Sequence, residues 1–189
     1  MSASWLPNAI CVLRMLLAAP VAIALVRGDY QLTLLLFAVA ALSDALDGWL
    51  ATTFGWTSRL GKILDPIADK LLLVTVFATL VALGEVPLWL GAAVVLRDLV
   101  IVGGALAYHY LIGYLEGHPT TISKLNTTTQ LAFLLALIAA HAWSQVPPQL
   151  VLVLGAATFV TTVVSGLDYV LTYGRLAWRE SQRAAAAAR

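Results

Sequence analysis

The sequence predicts an all-α integral membrane protein with six transmembrane helices and a short N-terminal interfacial segment. Hydrophobic residues make up 61% of the 189 positions, and the mean hydropathy is +0.90. Charged residues make up 11%, whereas an ordinary soluble domain carries about 25%. Six stretches approach the roughly 20 apolar residues that a helix needs to cross a bilayer. We therefore expect a single membrane domain over residues 1–189.

The six predicted spans follow one another with short connections between them. They cover residues 8–26, 31–53, 60–83, 87–111, 123–143 and 149–173. Before the first span, Trp5 and residues 6–7 are expected to lie at the membrane surface, where tryptophan is commonly found. After the sixth span, residues 175–189 are rich in alanine and arginine, and we expect a basic tail that favours a helix.

The distribution of charge orients the predicted bundle, because six spans place both termini on one side of the membrane. The basic residues expected on that side are Arg59, Lys62, Lys124, Arg175, Arg179, Arg183 and Arg189. The opposite side carries Arg27, together with Asp29 and Glu85. Cytoplasmic loops are enriched in Lys and Arg. We therefore expect cytoplasmic termini, in a bacterial inner membrane or an equivalent inner membrane.

The remaining charges and the single cysteine narrow the choice of function further. A net charge of +1 gives no indication of nucleic acid as a partner, no basic run precedes the tail, and we expect no nucleic acid to bind. Cys11 has no second cysteine with which to form an intrachain disulfide. Arg14, Lys70 and Asp168 lie inside predicted spans, where an ion pair or a snorkelling side chain is as good an interpretation as a functional role.

Four aspartates mark the candidate functional site. Asp44 and Asp47, three apart, end the second span, and Asp65 and Asp69, four apart, begin the third. On helices both spacings place the two side chains on one face. Four carboxylates in one small site need cations between them, and oxygen ligands without His or Cys favour Mg²⁺ or Mn²⁺ over Zn²⁺. Helix caps or solvated charges would explain either pair alone, but two pairs flanking one turn favour a metal site.

The same segment resembles the signature of the CDP-alcohol phosphatidyltransferases, D-x-x-D-G-x-x-A-R-x(8)-G-x-x-x-D-x-x-x-D. Besides the four aspartates, the chain matches this signature at Gly48, Ala51 and Gly61. Thr52 stands where the signature has arginine, so seven of the eight fixed positions agree. The small residues would let two helices approach closely, or let a ligand reach the backbone.

The resemblance implies a six-span homodimer that transfers a phosphatidyl group from CDP-diacylglycerol to an alcohol and releases CMP. It implies two Mg²⁺ or Mn²⁺ ions held by the four aspartates, with Asp69 also acting as the general base. The residues that it places near the CDP group of the donor are Gly48, Ala51, Thr52 and Gly61. Because the family's arginine lies near the diphosphate, Thr52 implies either weaker activity or another way of holding the donor.

Two further stretches resemble the eukaryotic type of cardiolipin synthase within this family, namely Arg97-Asp98 in the fourth span and residues 121–127 in the fifth. Arg97, Lys124 and Asn126 are expected to line the site of the acceptor phosphate, where cations form strong hydrogen bonds. Phosphatidylglycerophosphate synthases commonly carry a second basic residue close to Asn126. Its absence favours phosphatidylglycerol as acceptor and cardiolipin as product, with glycerol 3-phosphate as the alternative acceptor.

Two interpretations from other classes stay open at this point. Intramembrane carboxylate pairs also line cation transporters, although here the acidic cluster lies at one end of the spans. An inactive relative that binds lipid is the other interpretation, and Thr52 is its support. Release of CMP from CDP-diacylglycerol separates an enzyme from both.

Overall fold

Six α-helices make up the part of the chain that the computed structural model describes, which is residues 6–54, 61–111 and 120–187. In chain order they are α1 (Leu6–Val26), α2 (Tyr30–Phe54), α3 (Gly61–Ala82), α4 (Leu88–Leu111), α5 (Thr121–Ala142) and α6 (Pro148–Ala187). The predicted spans agree with these bounds to within two residues at every end except the last. There α6 continues to Ala187 as one helix of 40 residues, which includes most of the predicted tail.

The predicted interfacial segment is in part the beginning of the first helix. Leu6 and Pro7 are the first two residues of α1, and Trp5 lies outside the described residues. Proline is well suited to the first turn of a helix, because its missing N–H would have no partner there. Pro7 is therefore compatible with an earlier helix start than hydropathy alone predicts.

Two glycines with positive φ end α1 and α3. Gly28 has φ 73° and Gly84 has φ 80°, in the left-handed region that only glycine enters without strain. After α1, the N–H of Gly28 donates to the carbonyl of Leu25 at 3.0 Å, and the N–H of Asp29 donates to that of Ala24 at 3.0 Å. This is the Schellman pattern of helix ends. It fixes short turns between α1 and α2 and between α3 and α4.

The following helices begin at side-chain caps or at proline. The carboxylate of Asp29 accepts a hydrogen bond from the N–H of Leu32 at 3.0 Å at the start of α2. The hydroxyl of Thr120 accepts one from the N–H of Ser123 at 3.2 Å at the start of α5. Both satisfy N–H groups that a helix leaves without partners in its first turn. Helix α6 begins at Pro148.

The helices form two compact units. The first unit comprises α1, α2 and α3 together with Leu134–Val151, which contains the end of α5 and the beginning of α6. The second unit comprises Leu88–Phe133, which contains α4 and the beginning of α5, together with α6 from Leu152 onward. Both α5 and α6 therefore contribute residues to each unit.

In the first unit, α1 packs against both α2 and α3. The buried face of α1 recurs at helical spacing and consists of Cys11, Arg14, Ala18, Val21 and Leu25. The buried residues of the neighbouring helices include Phe37 of α2 and Val76, Phe77 and Leu80 of α3. Apolar side chains at this period are what packed helices require, so Arg14 stands out as a cation within an otherwise apolar contact face.

The described helices are consistent with an integral membrane protein. Three of them contain stretches long and apolar enough to cross a membrane: Ala9–Val26, Thr121–Ala142 and Pro148–Thr172. A shorter apolar stretch covers Tyr30–Ser43 of α2. Large apolar side chains are also widely exposed, among them Leu152 at 73%, and exposed apolar side chains in this number suit contact with lipid. That the chain crosses the membrane six times remains a prediction.

Candidate functional site

The backbone places the four signature aspartates around the connection between α2 and α3. Asp44 and Asp47 lie within the last three turns of α2, and Asp65 and Asp69 lie within the first three turns of α3. Since both segments are helical, the three-residue and four-residue spacings put each pair on one helix face. Six residues separate the two helices, so their adjoining ends are held within about 25 Å of each other by chain length alone.

The side chains of most predicted metal and donor residues lie outside the described part of the structure. They are Asp44, Asp47, Gly48, Ala51, Thr52, Gly61 and Asp65. The backbone nevertheless places Gly48, Ala51 and Thr52 in the last two turns of α2 and Gly61 at the first residue of α3. The predicted donor residues therefore border the same connection as the aspartates.

Asp69 is the signature aspartate whose side chain is described, and it forms an ion pair with Arg14. The guanidinium Nη1 of Arg14, on α1, donates to the carboxylate Oδ1 of Asp69, on α3. The side chain of Arg14 is 1% exposed, whereas that of Asp69 is 36% exposed. A buried cation on an apolar span is costly without an anionic partner. Arg14 therefore forms an ion pair, which is one of the two interpretations that the sequence allowed. Its partner is Asp69, the candidate base.

In the second unit, Arg97 is held by residues from three helices. Its Nη1 donates to Oδ1 of the adjacent Asp98 at 2.7 Å. Its Nη2 donates to the hydroxyls of Ser123 on α5 and Ser165 on α6, each at 2.6 Å, and its Nε donates to Ser165 at 3.1 Å. Arg97 is 6% exposed, so its guanidinium is fixed in direction and largely removed from solvent.

Asn126 is completely buried between α5 and α6. Its carboxamide oxygen accepts hydrogen bonds from the hydroxyls of Thr161 and Thr162, both at 2.9 Å. Its amide nitrogen has no hydrogen-bond partner among the described residues, and the same holds for the amide nitrogen of Gln130, one turn further along α5. The carboxamide therefore joins two helices through its oxygen and leaves a buried donor on its other side.

A stripe of hydroxyl residues on α6 provides the partners of Arg97 and Asn126. Thr158, Thr161, Thr162 and Ser165 recur at spacings of three and four, which places them on one helix face. Three of them are buried, at 0% for Thr158, 2% for Thr162 and 1% for Ser165. In the same helix Leu152, Val160 and Leu167 are exposed. The helix thus turns its polar face inward and its apolar face outward, as a lipid-facing helix does.

Lys124 differs from Arg97 in its surroundings. It lies in the first turn of α5, next to the Arg97 partner Ser123, and its side chain is exposed. Its backbone N–H donates to the carbonyl of Thr120 at 3.1 Å. The three predicted acceptor residues therefore all lie in the second unit, where Arg97 and Asn126 engage successive turns of α6. The sequence did not single out Ser165, Thr161 or Thr162, although their spacing on an apolar span was a readable signal.

Most of the chain matches one known protein family. The family model described as CDP-alcohol phosphatidyltransferase matches residues 4–173. The chain belongs to the CDP-alcohol phosphatidyltransferase family. This result confirms the resemblance of the segment from Asp44 to Asp69, and the match extends over five helices and most of the sixth.

Curated relatives of this chain carry two kinds of name. The human cardiolipin synthase (CMP-forming) is 30% identical over 186 residues, which cover 90% of this chain and 62% of the human protein. The probable cardiolipin synthase (CMP-forming) of Drosophila melanogaster is 30% identical over 182 residues, covering 88% of this chain and 56% of the fly protein. The chain therefore spans between half and two thirds of the length of these two relatives.

A bacterial relative carries the second kind of name. The CDP-diacylglycerol–glycerol-3-phosphate 3-phosphatidyltransferase of Bacillus subtilis is 32% identical over 142 residues, covering 71% of this chain and 69% of the bacterial protein. The identities to the cardiolipin synthases and to this enzyme differ by only two percentage points. Sequence identity therefore does not distinguish between the two kinds of relative.

Proposed function

We propose that this CDP-alcohol phosphatidyltransferase transfers the phosphatidyl group of CDP-diacylglycerol to a glycerol-type alcohol and releases CMP. The observation that carries the proposal is the placement of the signature aspartates on two helices that flank one short connection. Asp44 and Asp47 share one face of α2, and Asp65 and Asp69 share one face of α3. The match of the family model includes all four.

The donor set fits two divalent cations. The four signature ligands are carboxylates from consecutive helices, and hard ions such as Mg²⁺ and Mn²⁺ prefer oxygen ligands. We assign Asp44, Asp47 and Asp65 chiefly as ligands of these ions. Asp69 belongs to the same ligand set and is also the candidate base. When bound, such ions would neutralise the charge of the donor diphosphate and the charge that develops on the departing CMP. Small residues at Gly48, Ala51 and Gly61 leave room for the nucleotide beside the backbone.

We assign to Asp69 the transfer of the proton from the acceptor. The carboxylate takes the proton of the acceptor hydroxyl, whose oxygen then bonds to the phosphorus that carries the diacylglycerol. The bond between this phosphorus and the oxygen of CMP breaks, and CMP leaves with the electron pair. The side chain of Asp69 is 36% exposed, so an acceptor can reach it, and a base must lie within hydrogen-bond reach of the proton that it removes.

We propose phosphatidylglycerol as the preferred acceptor, with cardiolipin as the product. Two observations support this choice over glycerol 3-phosphate. The charge of Arg97 is balanced by Asp98 at 2.7 Å, and Asn126 is neutral, so Lys124 is the exposed cation among the three predicted acceptor residues. One available cation suits the single charge of a phosphodiester better than the double charge of a phosphomonoester. The similarity to the Bacillus subtilis enzyme keeps glycerol 3-phosphate as the second candidate.

The deciding experiment uses purified protein in lipid nanodiscs with labelled CDP-diacylglycerol, Mn²⁺ and either phosphatidylglycerol or glycerol 3-phosphate. We expect CMP release that stops on chelation, resumes with Mg²⁺ or Mn²⁺, and yields labelled cardiolipin. A labelled phosphatidylglycerophosphate product would identify the alternative acceptor. Metal-replete protein that releases no CMP with either acceptor would leave the cation transporter and the inactive lipid-binding relative as the remaining interpretations.

The roles of the aspartates are tested by comparing Asp69→Asn with Asp44→Asn. We expect Asp69→Asn to lose turnover by about 10²-fold or more while still binding CDP-diacylglycerol in the presence of metal. Asp44→Asn should lose metal and donor binding. Equal loss of donor binding in both variants would make Asp69 a metal ligand and not the base.

Three further properties belong to the same proposal. The protein acts as one catalytic domain over residues 1–189, it crosses the membrane six times, and it assembles as a homodimer surrounded by membrane lipid. Its termini and the aspartates face the cytoplasm of a bacterial inner membrane or an equivalent membrane, because the basic residues concentrate on that side. The aspartates would then lie at the surface where the nucleotide head group of CDP-diacylglycerol is available.

A further inference from the structure

We propose that Arg14 positions Asp69 for proton transfer and does not itself touch the substrates. The inference rests on the proposed function, because it concerns how the base of that reaction is held. It begins with one contact, in which Nη1 of Arg14 on α1 donates to Oδ1 of Asp69 on α3. The two residues are 55 positions apart in the sequence, so the pair joins two helices of the first unit.

The place of Arg14 on its helix directs the guanidinium inward. Cys11 and Ala18, which lie three residues before and four residues after it, are 2% and 4% exposed. Val21 continues the same face at 0% exposed. A cation on this face of a candidate span cannot extend along the surface to water as long basic side chains at helix ends do. It therefore needs a partner inside the fold, and Asp69 provides one.

The two members of the pair differ sharply in accessibility. The side chain of Arg14 is 1% exposed and that of Asp69 is 36% exposed. A reactant can therefore approach the carboxylate but not the guanidinium. This asymmetry assigns contact with the acceptor to Asp69 and a supporting role to Arg14.

The pair also limits the motion of the carboxylate. The backbone of Asp69 is fixed because its neighbours Ala68 and Leu72 are buried at 0% and 4%. Its side chain would still rotate about two torsions, and a charge-assisted contact with a guanidinium restricts them. A general base loses efficiency when it leaves hydrogen-bond reach of its proton. Arg14 thus contributes to turnover by keeping the carboxylate aimed.

The test compares Arg14→Met with Arg14→Lys in nanodiscs. Methionine keeps the length and apolar stem of the side chain without its charge, and lysine keeps the charge without the planar donor fork. For Arg14→Met we expect kcat to fall about 10- to 100-fold, with the KM for CDP-diacylglycerol and the Kd for Mn²⁺, measured by electron paramagnetic resonance, unchanged within about twofold. Arg14→Lys should recover part of the lost kcat.

Val21→Ala is the matched control. It removes volume from the same buried face two turns along α1, where Val21 is 0% exposed. Melting temperatures of all variants are measured in parallel. If Arg14→Met lowers kcat no more than Val21→Ala at a comparable loss of melting temperature, Arg14 is structural and the inference is wrong. If Arg14→Met does not fold, the same comparison is made with Arg14→Lys.

A double variant separates positioning from direct binding. If Arg14 acts through Asp69, single-turnover rates of Arg14→Met/Asp69→Asn should equal those of Asp69→Asn alone. A higher KM for the donor or weaker Mn²⁺ binding in Arg14→Met, with kcat intact, would place Arg14 in the binding site and overturn the inference. Wild-type protein that releases no CMP would overturn the proposed function itself, and this inference with it.

Discussion

At the scale of single residues, Arg97 and Lys124 lie in different surroundings, although both are candidates for binding the acceptor phosphate. Arg97 is 6% exposed and bound to Asp98, Ser123 and Ser165. Lys124 is exposed at the beginning of α5. The spacing of residues along a chain does not reveal this difference, because the three partners of Arg97 come from three helices. Both were predicted to bind the acceptor phosphate, and that role stays a prediction.

Arg97→Gln and Lys124→Gln should therefore have different consequences. Removing Arg97 breaks its buried ion pair with Asp98 at 2.7 Å, and the loss of one member of such a pair costs about 3–5 kcal/mol of unfolding free energy. Removing the exposed Lys124 should change stability by less than about 0.5 kcal/mol. Lys124→Gln should raise the KM for the acceptor with the melting temperature and donor KM near those of the wild type, whereas Arg97→Gln should also lower the melting temperature.

Steady-state kinetics with varied phosphatidylglycerol and thermal unfolding in the same nanodiscs check both expectations. The exposed Thr128, one turn beyond Lys124 on the same helix, offers a control through Thr128→Ala. An unchanged acceptor KM in Lys124→Gln would move the acceptor phosphate away from the beginning of α5.

Thr52 is the single departure from the family signature. It lies two residues before the end of α2, among the residues assigned to the donor. Thr52→Arg restores the signature residue, and a cation close to a diphosphate strengthens binding through charge-assisted hydrogen bonds. We expect a lower KM for CDP-diacylglycerol, by about threefold to tenfold, which corresponds to roughly 0.7–1.4 kcal/mol.

Thr53→Arg is the control for this change. Thr53 is exposed, and an arginine there would add the same charge about 100° further around the helix. If both variants change the KM for CDP-diacylglycerol equally, the effect is one of general electrostatics. A higher KM in Thr52→Arg alone would indicate that another cation already occupies the space.

At the scale of helices, the sequence predicted the beginnings and ends well because their signals are local. Apolar runs define the spans, and Gly28, Gly84 and Pro148 stand at the breaks between them. The sixth span was predicted to end at about 173, and the apolar stretch of α6 does end at Thr172, but the helix itself continues to Ala187. Residues beyond 173 are polar, so hydropathy stops there, although their alanine content favours a continued helix. Contacts between helices, such as that of Arg14 with Asp69, carry no local signal.

A second inter-helix contact ties three helix ends together in the first unit. Nε2 of His141, at the end of α5, lies 2.9 Å from the Glu85 carboxylate, and its Nδ1 lies 2.9 Å from the Leu137 carbonyl oxygen. Both ring nitrogens thus face oxygen acceptors, one within α5 and one in the connection after α3. The ring of Tyr30, at the start of α2, stacks on that of His141 with centroids 4.6 Å apart.

We expect His141→Leu to lower the melting temperature by a few degrees without changing kcat. Both members of the ion pair are about one third exposed, so it contributes no more than about 1 kcal/mol, and stacking adds a comparable amount. A double-mutant cycle with Glu85→Gln measures the coupling. Additive losses of stability would show that His141 and Glu85 do not interact in solution, and a loss of kcat would show that this end of the unit affects the reaction.

At the scale of the whole molecule, the orientation in the membrane decides whether the aspartates face the nucleotide donor. Helix α5 offers a direct test, because Thr121–Ala142 is one of the candidate spans. Its 22 residues extend about 33 Å, which matches the roughly 30 Å hydrocarbon core of a bilayer. Thr121 and Ser144, near its two ends, are both exposed. The native Cys11 is 2% exposed, so it should react slowly with thiol reagents and can be replaced by serine as a further control.

Single cysteines introduced by Thr121→Cys and Ser144→Cys should therefore label from opposite sides. With cytoplasmic termini and six spans, a membrane-impermeant maleimide should modify the Ser144→Cys variant in intact cells. It should modify the Thr121→Cys variant only after the membrane is permeabilised. The reverse result would place the aspartates on the side away from the cytoplasm, because α5 begins on the side on which α2 ends when every helix spans. Labelling of both variants from one side would show that α5 does not cross the membrane, and the six-span architecture would be wrong.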